Sequence, residues 1–167
     1  MAPQARIAAD ARIGGPDARF AAGYFGLGLS PDGGSTWLMP RLVGEQRTRR
    51  FFLTNEIMAA PEMLKCGLLD ELVAGDCLPR AVEVARTLGQ WAHLSRESTK
   101  RLLEAQSAND FAEQLDMERG LIAAAAGTKD FAEGVAAFLE KRPARFTGKP
   151  STDMPAFFPW WQERQFS

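Results

Sequence analysis

The run Gly26-Leu27-Gly28-Leu29-Ser30-Pro31-Asp32-Gly33-Gly34-Ser35-Thr36-Trp37 constrains this chain more than any other stretch. Glycines and a proline packed so closely interrupt any helix or strand, so the backbone must turn here. An apolar segment precedes the run and an amphipathic one follows it. Ser30 can cap a helix, and Pro31 suits the first helical position, where its missing N–H leaves nothing unpaired. That placement sets Asp32 among the free N–H groups of a first turn, which favour negative charge. Gly33 and Gly34 leave room for close approach to the backbone. On the residues alone two readings stand: a loop feeding a helix start, or a loop presenting a carboxylate for chemistry.

The 167 residues suffice for one domain with a real core. A net charge of −1 offers no basic excess to neutralise phosphates, so nucleic acid is not expected as a partner. No apolar run approaches the roughly 20 residues of a membrane span. Residues 1–6 lack the apolar stretch of a secretory signal. Cys66 and Cys77 are too few for a disulfide framework, and a reduced, cytoplasmic setting is the simplest reading. His93 is the single histidine; it sits beside Trp91 and Leu94 in a helical pattern and reads as structural. No metal site is expected, and any proton transfer falls to carboxylates.

The pattern divides the chain into a mixed region (1–75), a strongly helical region (76–149) and a tail dense in aromatics and proline (150–167). In the first, Ala18-Arg19-Phe20 reads as extended. From Ser35 the pattern becomes helical: Trp37, Leu38, Arg41 and Leu42 mark a short helix, broken near Pro40 and ended by Gly44. A second helix covers Gln46 to Leu53, with Arg47, Arg49 and Arg50 in solvent and Phe51, Phe52 and Leu53 turned inward. Ala59 to Gly67 is a short helix with proline in its first turn and glycine past its end. Leu68 to Val73 reads as a strand.

In the second region Val84, Leu88 and Trp91 fall at i, i+4 and i+7 on a helix from Leu78 to Ala92. Leu102 and Leu103 anchor Ser95 to Gln106, and Leu115 and Leu121 anchor Asp110 to Ala125. Phe131, Val135, Phe138 and Leu139 form a stripe on Thr128 to Lys141 that reads as core-facing. The tail segment Phe157 to Trp161 fits no period. It is expected to strap onto the body or another subunit, because so much aromatic surface rarely stays in water.

Several segments have counterparts in one known family. They are Asp10-Ala11-Arg12-Ile13 with Asp17-Ala18-Arg19-Phe20, then Gly28 to Trp37 with Pro40-Arg41-Leu42-Val43-Gly44. Leu53-Thr54, Ile57, Ala60, Glu62 and Gly67-Leu68 follow, then Glu133-Gly134 with Ala136 to Arg142, and Pro143 to Gly148. In this order they resemble the crotonase (enoyl-CoA hydratase/isomerase) superfamily, over its C-terminal half to two-thirds. The resemblance implies an α/β fold, the crotonase-like ββα spiral, N-terminally truncated, with a mostly helical C-terminal region for oligomerisation as trimers or hexamers. Residues 1–75 would be a partial spiral core. A truncated spiral exposes a sheet edge and apolar surface, so poor solubility or obligate oligomerisation is expected.

The family binds acyl-CoA thioesters, polarises the thioester carbonyl with two backbone N–H groups and moves protons with loop acids. No cofactor is implied beyond the coenzyme A of the substrate. In relatives the two N–H donors belong to segments that precede Asp10, one of them a glycine triplet, and no glycine occurs before Gly14 here. Either the start is assigned too late or the family member is truncated. Tyr24 stands where a hydratase acid would, which disfavours a two-glutamate hydratase.

The Ser30-Pro31-Asp32-Gly33-Gly34 segment resembles isomerases and ring-modifying relatives, which implies Asp32 as a single acid/base for enoyl-CoA double-bond isomerisation. Tyr24, Gly33, Gly34 and Trp37 would line the acyl site. Phe138, Lys141 and Phe146 match the part of the family that covers the coenzyme's adenine, against a reading as core packing and a solvated lysine. The alternative function is a non-catalytic assembly or binding module.

Overall fold

Glycine decides how closely the first strand can approach its neighbours: a Cβ at Gly14 would lie 2.6 Å from the Leu69 Cδ1 atom. In the computed structural model, which describes residues 7–155, the elements are β1 (Ile13–Gly14), β2 (Arg19–Ala21), a 3₁₀ turn (Phe25–Leu27), α1 (Ser35–Val43), α2 (Glu45–Leu53), β3 (Ile57–Ala59), α3 (Ala60–Lys65), β4 (Glu71–Leu72), α4 (Leu78–Gly89), α5 (His93–Ala105), α6 (Phe111–Ala126) and α7 (Lys129–Glu140). They form two compact units, Met1–Ala85 and Arg86–Ser167.

In the first unit β1 pairs parallel to β4, with Ile13 opposite Glu71, and β2 pairs antiparallel to β3, with Phe20 opposite Met58. Arg12 locks the parallel pair. Its N–H and guanidinium donate to the Asp70 carboxylate at 2.6 and 2.9 Å, while its carbonyl accepts the Asp70 N–H at 2.8 Å. The core gathers Ile7, Phe20, Met39, Phe51, Met58, Met63 and Leu68. Phe20 stacks on Phe51 at 5.1 Å, and Phe51 meets Phe52 edge-on at 5.3 Å. Each such buried side chain contributes about 1.5–3 kcal/mol.

Several boundaries differ from expectation for identifiable reasons. α1 starts at Ser35, where the helical pattern begins, but Ser30 and Pro31 do not open it, because Gly33 and Gly34 turn the chain at φ of 57° and 77°. It also runs through Pro40 to Val43. A proline within one helix removes a single N–H, and the Arg41 guanidinium donates to the nearby Trp37 carbonyl at 2.7 Å. On α2, Phe51 and Phe52 are buried but Leu53 points outward, since three successive helical residues cannot share one face. Arg47 is half-buried; it pairs with Glu62 and donates toward the Met58 sulfur at 3.6 Å. The expected strand from Leu68 narrows to Glu71–Leu72, with Leu68 and Leu69 serving the core instead.

In the second unit α5 packs on α6, and α6 on α7. Asp110 caps α6 in a reciprocal capping box with Glu113. Thr128 caps α7, its hydroxyl oxygen accepting the Phe131 N–H at 3.1 Å. Lys141 ends α7 in the left-handed conformation, φ 54°, and the chain doubles back along the helix. The Glu133 carboxylate receives Arg142 at 2.6 Å and the Arg145 N–H at 2.8 Å. Buried Asp130 receives the N–H groups of Thr147 and Gly148 at 2.9 and 3.0 Å. Phe146 thereby lies against Gly134, where a Cβ would sit 3.6 Å from its ring.

This strap covers the small and acidic face of α7, and the large apolar face stays open. Phe131, Val135, Phe138 and Leu139 are 51, 43, 83 and 73% exposed, contrary to the core-facing expectation. Leu103 and Leu115 also point outward, and Leu94, Ser98 and Leu121 fill the unit's interior. α4 ends at Gly89 and buries no residue; Leu88 and Trp91 are exposed. The tail segment Phe157 to Trp161 lies outside the described residues. Among the described residues no helix is long and apolar enough to cross a membrane, and both cysteines are free.

Replacing fully buried Phe51 by alanine should cost about 3–5 kcal/mol, whereas Leu53→Ala should change stability by about 0.5 kcal/mol or less. Urea unfolding followed by circular dichroism measures both.

Candidate active site

Residues 24–35 are rooted at both ends in the first unit's core. The Tyr24 carbonyl accepts the N–H groups of Leu27 and Leu29, both at 3.0 Å, and Gly28 closes the 3₁₀ turn in the left-handed conformation. The half-buried Tyr24 ring tilts against Phe52 with centroids 6.3 Å apart. At the other end the Asp32 carbonyl accepts both the N–H and the hydroxyl of buried Ser35, at 3.0 and 2.8 Å. Across the loop the Tyr24 hydroxyl donates to Asp32 Oδ1 at 3.0 Å.

Asp32 therefore lies ahead of α1 and not within its first turn, and the cap residue is Gly34. Its side chain is solvent-exposed, on a segment that also exposes Phe25, Leu27 and Leu29. Trp37, on the first turn of α1, is exposed too and carries the Arg41 guanidinium 3.4 Å above its ring. The fold thus brings Tyr24 to Asp32, keeps Gly33 and Gly34 as the turn beside them, and holds Trp37 as outer wall, not core. Ser35 and Phe52, which fix the two ends, were not singled out in the sequence. Ser35 carried a weak signal as a hydroxyl three residues after an aspartate; Phe52 carried none beyond its apolarity.

The second unit holds the other three residues of interest. Phe138 is exposed on α7, and Lys141, also exposed, is its C-cap, with its N–H 3.3 Å from the Phe138 carbonyl. Phe146 packs on Gly134 within the strap. A cleft of about 210 Å³ lies where α5 and α7 begin, lined by His93, Thr128, Lys129, Lys149 and Asp153 among others. His93 Nδ1 stands 2.8 Å from the Arg96 guanidinium, a structural pairing.

The carboxylates here hold the strap. Arg142, then the Arg145 N–H, push Glu133 down to about 2. The Lys149 N–H and the Lys129 ammonium hold Asp153 below the ordinary aspartate value.

The enoyl-CoA hydratase/isomerase family model matches residues 4–149. The chain belongs to the enoyl-CoA hydratase/isomerase family. The 1,2-epoxyphenylacetyl-CoA isomerase of Escherichia coli (strain K12) is 33% identical over 144 residues, covering 86% of this chain and 55% of that protein. The trans-2-decenoyl-[acyl-carrier-protein] isomerase of Streptococcus mutans is 31% identical over 144 residues, with shares of 86% and 55%. The crystal structure of enoyl-CoA hydratase/isomerase from Cupriavidus metallidurans CH34 superposes with a TM-score of 0.80 at 33% identity, covering 89% of this chain and 56% of that one. The chain accordingly has the crotonase-like α/β fold, and it spans about half the length of these relatives.

Because Glu133 is held near 2 in the fold, its carboxylate contribution to strap stability is complete above the ordinary value of 4.5 and is lost as pH falls through about 2. Arg142→Ala should move the Glu133 carboxyl titration upward toward 4.5, as read by carbon NMR.

Proposed function

We propose that this chain supplies the acid–base half of an acyl-thioester isomerase site, with Asp32 as the proton-carrying residue. The observation that carries the reading is the exposed Asp32 carboxylate, hydrogen-bonded by Tyr24 at 3.0 Å on a loop rimmed by exposed apolar side chains. Two relatives bear isomerase names. A single carboxylate suffices for moving a double bond, since the proton removed from one carbon can be returned to another.

In a 3-enoyl thioester Asp32 takes a proton from C2, and the electron pair spreads over C4 and the carbonyl oxygen. The carboxylic acid then delivers the proton to C4, leaving the double bond between C2 and C3. No redox partner or water is consumed, so coenzyme A enters only as part of the substrate. Donors that stabilise the enolate oxygen typically contribute about 3–4 kcal/mol each. The family resemblance assigns them to segments preceding Asp10, outside the roles given to this loop.

Gly33 and Gly34, at positive φ, let the acyl chain pass close to the backbone beside Asp32, and Trp37 walls the site. Phe138, Lys141 and Phe146 form the coenzyme end, contributed to a neighbouring copy in a trimer or hexamer. Reduced cysteines accord with a cytoplasmic setting and a role in fatty-acid chemistry. A second reading, an assembly module without catalysis, is favoured by the open apolar face of α7. Both readings use that face for association.

Purified chain incubated with a 3-enoyl-CoA should produce the conjugated 2-enoyl isomer, detected by the thioester's ultraviolet absorbance, and Asp32→Ala should abolish it. Absence of activity above background in the unmutated chain overturns the enzymatic reading in favour of the assembly module. Sedimentation velocity should give an oligomer, and Phe138→Asp together with Leu139→Asp should shift it toward monomer.

A further inference from the structure

We propose that Tyr24 is a positioning residue, holding the Asp32 carboxylate in its reactive orientation instead of lining the acyl site. This inference rests on the reading of Asp32 as the proton carrier. The hydroxyl lies 3.0 Å from Oδ1, a normal length for a hydrogen bond to a carboxylate.

Both partners are anchored independently of that bond. The Tyr24 backbone is pinned by the N–H groups of Leu27 and Leu29, and its ring by Phe52. The Asp32 backbone is pinned by buried Ser35 through two hydrogen bonds. A phenol has a rigid ring and one rotatable hydroxyl, so its oxygen marks a fixed point in space. The hydrogen bond sets the orientation of the carboxylate against that point, with Oδ1 turned to Tyr24. Proton transfer between two carbons of one substrate requires the carboxylate to address both without reorienting, and displacements near 1 Å cost roughly a hundredfold in rate.

Tyr24→Phe retains the ring on Phe52 and removes only the oxygen. With a 3-enoyl-CoA substrate it should lower kcat roughly ten- to a hundredfold and leave KM within about twofold, because the lost interaction orients a base and binds no substrate. An unchanged kcat, or a loss confined to KM, overturns the proposal and returns Tyr24 to substrate binding.

A second arm needs no activity. Tyr24 is the sole tyrosine of the chain, so the tyrosine doublet in the Raman spectrum reports its hydroxyl alone. Asp32→Ala should change the doublet's intensity ratio toward that of a water-bonded phenol, and an unchanged ratio overturns the proposal. If the unmutated chain proves inactive, the isomerase reading falls by itself, and the Raman ratio still decides whether Tyr24 holds Asp32.

Discussion

The aromatic series Phe20, Phe51, Phe52 and Tyr24 is the contact on which the first unit depends. Its inner end is buried hydrophobic core, with Phe20 stacked on Phe51. Its outer end is an amphipathic ring that keeps its apolar edge on Phe52 and carries its hydroxyl to the Asp32 carboxylate. Tyrosine is the residue suited to such a boundary, being apolar along the ring and polar at one tip. Together with the Leu27, Leu29 and Ser35 hydrogen bonds, this ring ties down a loop with glycine at 26, 28, 33 and 34. The rigidity of the site is therefore borrowed from packing between α2 and the strand pair, and a defect at Phe52 would reach Asp32 through one ring.

The second unit uses charge where the first uses rings. Asp130 and Glu133 lie on one face of α7, one helical turn apart, and each gathers donors from the returning strap. The backbone N–H groups of Arg145, Thr147 and Gly148 would be unpaired if the strap merely lay on an apolar surface. Acidic residues on that face satisfy them, and Gly134 leaves room for the Phe146 ring. The consequence is that the large side chains of α7 rotate to the opposite face. Their exposure follows from the polar demands of an irregular strap, and association with a further surface would bury it.

Much of this was legible in the residues. Gly44, Gly67, Asp110 and Thr128 are punctuation whose physics is local, and the helices they bound were expected nearly where they lie. The ordered motif matches carried the fold, which four strands of two or three residues each could never have announced by alternation. What failed was the direction of side chains. Periodicity says that Phe131, Val135, Phe138 and Leu139 share a face, but not whether that face meets this chain's own core. The helical pattern from Ser35 was legible, but Ser30-Pro31 also satisfies the local rules for a helix start, and that cap is not realised. The competing turn at Gly33-Gly34, held by Ser35 on the Asp32 carbonyl, depends on Ser35 being buried. The pairing of Tyr24 with Asp32, eight residues apart, likewise had no periodic signature.

That pairing bears on the choice between adding water to a double bond and moving it. A carboxylate at position 24 reaching as close to Asp32 as the phenol does would set two like charges about 3 Å apart, and one would be forced to hold a proton. A two-acid mechanism needs the acids separated by a water and the reacting carbons, a geometry at odds with direct contact. A phenol at hydrogen-bonding distance creates no such conflict, because it donates a hydrogen bond to the carboxylate instead of setting a second charge beside it. In the isomerase reading proposed above, the same proton would return to a different carbon. In that reading the orientation Tyr24 gives Asp32 would matter twice in each turnover, once when the proton leaves and once when it returns.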